Sequence, residues 1–99
     1  MSFASTLSLT YLWTLQTDLC NYLDILQTRL DKLEEVQQEI YDAQTYLLQN
    51  LAPLHVLAYV DTTVTYLSQQ HQAIHQLIHI TSNLLRIIQA LIHSGASPP

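Results

Sequence analysis

Glycine occurs once in the 99 residues, at Gly95, and proline three times, at Pro53, Pro98 and Pro99. These two residue types supply most tight turns, so a chain this poor in both has little room for loops. An all-β or α/β fold of this length would need many turns. The scarcity points to an all-α chain of long helices, one small domain at this length. Basic side chains are also scarce: Lys and Arg total three against eight acids, for a formal net charge of −5. Binding to nucleic-acid phosphates needs a basic footprint that three residues do not supply. Docking on an anionic membrane surface is disfavoured for the same reason.

Cys20 is the single cysteine. An intramolecular disulfide and a cysteine zinc cluster are therefore excluded, and a reducing, intracellular and cytoplasmic setting is expected. At an e position of the first helical repeat described below, Cys20 reads as a packing residue. The N-terminal stretch MSFASTLSLTYLW lacks the basic start of a signal peptide. No segment is apolar and long enough to read as a membrane span, and no lipidation motif is found. A Gly-rich phosphate loop and a nucleophile–base constellation are both missing. The expectation is a non-enzyme with no cofactor and no small-molecule substrate.

What the chain has is periodicity. Steps of three and four from Leu9 pass through Leu12, Gln16, Leu19, Leu23, Leu26, Leu30, Leu33, Gln37, Ile40, Gln44, Leu47, Leu51 and Leu54. With Leu9 as heptad position a, every d is Leu or Ile and every break is a Gln at a. Such a run predicts a coiled-coil-type helix, here over about residues 5–51. A Gln inside a seam lowers stability but restricts register. Pro53, which lacks an amide hydrogen and suits a first helical turn, starts a second helix over about 54–93. A hairpin is favoured over a kinked continuous helix, because two amphipathic helices can then cover each other. Asp61-Thr62-Thr63 marks a second candidate break, since Asp caps helices and adjacent β-branched residues weaken them. Residues 1–93 form the domain, and the tail 94–99 is expected to be disordered.

The second helix has the broader apolar surface. Its a/d series is Leu57, Val60, Val64, Leu67, His71, Ile74, Ile78, Thr81, Leu85, Ile88 and Ile92. The c row adds Tyr59, Tyr66, Ala73, Ile80 and Ile87, and the g row adds Val56, Leu77, Leu84 and Leu91. At about 100° per residue the c, g, d and a rows are neighbours, giving an apolar face roughly half the circumference wide. One partner helix covers much less. Helix 1 also carries off-seam apolar residues: Tyr11, Trp13, Ile25, Tyr41, Tyr46 and Leu48. A hairpin alone therefore leaves apolar surface unburied, and the expected solution is a helical bundle completed by oligomerisation.

Three histidines, His71, His75 and His79, recur one helical turn apart in HQAIHQLIH. They border the polar face among Gln69, Gln70, Gln72 and Gln76. A metal site would use adjacent pairs, but no carboxylate flanks the stripe in sequence to complete or orient it. The zinc-protease pattern is absent, because Gln72 stands where that pattern needs Glu. A pH-sensitive reading rests on the ordinary titration of imidazole near pH 6.5 and on repulsion between protonated neighbours. A polar but uncharged face is favoured over both, because it is easier to bury against a partner than a charged one. The acids Asp18, Asp24, Asp31, Glu35 and Asp42 form a solvated ridge at b, c and f positions.

The expected function is a non-enzymatic assembly or interaction protein, a scaffold-like helical hairpin. It pairs with itself, as a homodimer or higher oligomer, or with another helical subunit. The expected interface comprises Leu19, Leu23, Leu26, Leu30, Leu33, Ile40 and Leu47 of helix 1. From helix 2 it takes Leu67, Ile74, Leu77, Ile78, Leu84, Leu85 and Ile88. Two alternatives stand beside it. One is a peripheral membrane-binding amphipathic protein. The other is a small viral accessory protein acting on a host protein, suggested by the unusual Leu/Thr/Gln/His-rich composition.

Overall fold

The computed structural model describes residues 8–96. The chain is an all-α two-helix hairpin, with α1 over Leu9–Gln49 and α2 over Leu54–Ala96. No strand occurs among the described residues. Ser8 caps α1: its hydroxyl oxygen accepts from the Tyr11 amide at 3.2 Å, and its carbonyl from the Leu12 amide at 3.1 Å. One of the four amides that a helix start leaves without an intrahelical partner is satisfied by that side chain. Residues 5–7, where a helix start was expected, lie outside the described residues.

The connection is a Schellman closure built on leucine. Leu51 adopts φ 55°, in the left-handed region. The Ala52 amide donates to the Leu47 carbonyl at 3.0 Å, and the Leu51 amide to the Leu48 carbonyl at 3.3 Å. These are the paired bonds that close a helix C-terminus, usually around glycine. Pro53 lies just outside α2, and its carbonyl accepts from the Val56 and Leu57 amides at 3.0 and 3.2 Å. It thus occupies the N-cap, with Leu54 as the first helical residue.

Asp61-Thr62-Thr63 does not break the helix. α2 runs through it, and each threonine hydroxyl donates to the carbonyl four residues back, Thr62 to Ala58 at 3.0 Å and Thr63 to Tyr59 at 2.9 Å. Asp61 is occupied elsewhere, as described below. At the far end α2 continues past His93 through Ser94 and Gly95 to Ala96, so the helix extends into the stretch expected to be a tail. Residues 97–99 lie outside the described residues.

The chain divides into two compact units. Unit 1 pairs α1 up to Gln27 with α2 from Leu77; unit 2 is Thr28–Gln76, including the turn. Unit 1 is centred on Leu12, Ile88 and Ile92, with Leu15, Leu19 and Leu91 packed against them. In unit 2 the a and d rows carry the packing: Leu30 is buried, and Leu33, Ile40, Leu47, Leu57, Leu67 and Ile74 are half-buried.

Candidate functional site

Two helices that run in opposite directions pair like rows with like: e flanks e on one side of the seam and g flanks g on the other. The contacts follow this rule in both units. In unit 1, Leu15 and Leu91, both g, pack on one cluster. In unit 2, Arg29, Val36 and Gln70, all g, line one shallow groove with Leu33, Leu67 and Ile74. The opposite, e side carries the polar contacts. Gln44 at a donates from Nε2 to Asp61 Oδ1 at e, 2.7 Å away. Ten residues back along α1 and ten forward along α2, Glu34 at e meets His71 at a, with Oε1 and Nε2 3.1 Å apart.

The residues expected to form the interface divide into two groups. Leu26, Leu30 and Ile88 are buried within the chain. Leu19, Leu23, Leu33, Ile40, Leu47, Leu67, Ile74, Ile78 and Leu85 are half-buried. Intrachain packing thus occupies these a and d positions. Leu77 and Leu84 remain exposed, at 38% and 43%, together with Ile80 at 63% and Ile87 at 57%. With half-buried Leu91 these make a second series at three- and four-residue steps, formed by the g and c rows of α2. Tyr22 at g and Tyr11 and Ile25 at c are the exposed apolar residues of the corresponding rows of α1 in unit 1. Burial on the hairpin's own partner helix is what separates a/d from g/c; in sequence the two series look alike.

The histidine stripe is split. His71 is half-buried and His75 exposed, and their rings meet edge-on with centroids 4.6 Å apart. Glu34 joins them from α1, so that ligand atoms of Glu34, His71 and His75 all lie within 4.8 Å of one another. His79 belongs to unit 1, where its Nε2 accepts from Asn83 Nδ2 at 3.3 Å, and Arg86 donates to Asn83 Oδ1. Sequence reasoning missed Glu34 because it is 37 positions from His71. One signal was present: Glu34 is the only acid of α1 on a row flanking the seam.

The acidic ridge is solvated. Lys32 pairs with Glu35 at 3.4 Å and Gln38 donates to Asp42 at 3.0 Å, all exposed. Cys20 is exposed, not packed. No helix of the described residues is long and apolar enough to cross a membrane. No family model, curated protein or solved structure matches the chain.

Proposed function

We propose that this chain is a non-enzymatic assembly subunit that pairs with a second copy of itself through the g/c face of unit 1. The observation that carries the reading is the exposed series Leu77, Ile80, Leu84 and Ile87. Scattered surface leucines need no explanation, but a heptad-spaced row of four does. Its spacing suits another helix, because knobs at three- and four-residue steps fit the holes of a facing helix.

Charge favours a like partner. Within unit 1, α2 has no Asp, Glu, Lys or Arg from Leu77 to Leu85, and the charged residue on the g and c rows is Asp18, at c of α1. Across a two-fold axis residue i meets residue j and j meets i, so only side chains near the axis face their own copy, and a charge there would repel itself. Asn83, on the f row beside the exposed series, is neutral and can be satisfied without the desolvation cost of an ion. Two hairpins joined on this face complete a four-helix bundle.

Light scattering on the purified chain tests the proposal. The expected mass is twice that of one chain, falling to one chain in Ile80→Lys or Ile87→Lys with helical circular dichroism retained. A wild-type monomer at high micromolar concentration, or a mass unmoved by both substitutions, overturns it. The broad exposed face also suits lipid, although only three Lys and Arg residues are present to meet headgroups. Co-flotation with neutral vesicles by a chain that is monomeric in solution would favour that second reading.

A further inference from the structure

From the meeting of Glu34 with His71 and His75 we infer a binding site for a divalent transition-metal ion of the zinc class. The site lies on the e side of unit 2, within a single chain, and does not depend on self-association.

The backbone does most of the positioning. Residues four apart on a helix stack on one face, which sets the two imidazoles side by side. Their ring contact at 4.6 Å shows that neither points away from the other. The third donor comes from α1, held in register by the seam. Glu34 Oε1 and His71 Nε2 are 3.1 Å apart. Two ligands on one tetrahedral zinc, at bond lengths of about 2.0–2.1 Å, stand roughly 3.4 Å from each other. The hydrogen bond thus already holds two donors near ligand spacing. The whole set spans no more than 4.8 Å, so modest side-chain rotation closes it around an ion.

The donor chemistry selects the class. Two neutral imidazoles and one carboxylate suit zinc, copper or nickel; magnesium and calcium prefer all-oxygen shells. Three protein ligands leave at least one coordination position for water. Glu34 and His75 are exposed, so an ion reaches the site without opening the seam. The arrangement also gives a purpose to His71, a polar residue at an otherwise apolar a position. A bound ion would tie α1 to α2 across the seam.

The test is calorimetric titration of the full chain with Zn²⁺ alone, repeated with Mg²⁺. One equivalent of saturable zinc binding and none of magnesium is expected. Glu34→Gln and His75→Gln, both at exposed positions, should each weaken zinc binding at least tenfold. His79→Gln and His55→Gln should leave it within twofold. The Ile80→Lys chain should bind zinc as the wild type does, which separates this site from the assembly face. The absence of saturable binding up to millimolar zinc would overturn the proposal. So would an affinity that survives Glu34→Gln but is lost in His79→Gln, because the ligands would then be the helix-face pair His75 and His79. Loss of binding in the Ile80→Lys chain, with its helicity intact, would equally overturn a site contained in one chain.

Discussion

Gln44 and Asp61 join the two helices of unit 2 through a single side-chain bond, Nε2 to Oδ1 at 2.7 Å. Gln44 is one of three Gln residues that interrupt the a row of α1, and Asp61 is the only acid of α2. A half-buried amide that meets a carboxylate is satisfied in one register and left wanting in others. Bonds to charged acceptors contribute about 1.5–3 kcal/mol when buried, and solvent at this exposed pair reduces that to about 1 kcal/mol. A double-mutant cycle with Gln44→Ala and Asp61→Ala should give a coupling of that size in urea denaturation. Additive single effects would show that the bond does not hold the register.

Leu51 is the conformational weak point of the turn. It sits at φ 55° with its side chain 89% exposed. A left-handed conformation costs an L-residue about 1–2 kcal/mol, which glycine escapes. Glycine gives part of this back through its freer unfolded chain, about 0.4–1 kcal/mol. Leu51→Gly should therefore stabilise the hairpin by about 0.5–1 kcal/mol, read from the urea midpoint. A loss of stability would mean that the exposed leucine makes a contact outside its own chain.

The seam was legible in the sequence and the contacts beside it were not. From Leu12 to Leu47 every a and d residue of α1 is buried or half-buried, and so is every one of α2 from Leu57 to Ile92. Periodicity alone sets which stripe of a helix avoids water, so heptad steps sufficed. The meeting of Glu34 with His71 depends on register, which the turn between Gln49 and Leu54 fixes. Pro53 marked the break, but the turn closes on a leucine where its geometry favours glycine, so nothing local announced the closure that sets the register. Asp61-Thr62-Thr63 resembled a helix start because capping chemistry and back-bonding threonines use the same residue types. In the folded chain Asp61 accepts from Gln44 across the seam and caps nothing, a contact between residues 17 apart that no local pattern shows.

Leu26 and Ile80 separate folding from assembly. Leu26 is 2% exposed, and Ile80 lies on the open g/c face. Leu26→Ala removes buried methyl groups and leaves a cavity, at a cost of about 2–5 kcal/mol. Its urea midpoint should fall at every protein concentration. Ile80→Lys removes little internal packing, because Ile80 is mostly exposed, so its monomer should be about as stable as the wild-type monomer, within roughly 0.5 kcal/mol. What it should lose is the rise of the wild-type thermal midpoint with protein concentration, the mark of stabilisation by association. Equal effects of the two substitutions on the isolated monomer would show that Ile80 packs within its own chain.

Cys20 reports which side of the hairpin is covered. It is exposed, and it occupies the e row of unit 1, across the seam from the g/c face. Assembly through Leu77, Ile80, Leu84 and Ile87 leaves the e side in water. A thiol reagent should therefore titrate one group per chain without denaturant. The rate should be the same, within about twofold, for the wild-type chain at assembling concentrations and for the monomeric Ile80→Lys variant. Protection of Cys20 in the wild type alone would place the partner on the e side. The exposed aromatic of that row in unit 1, Trp13, would then be the contact residue to substitute.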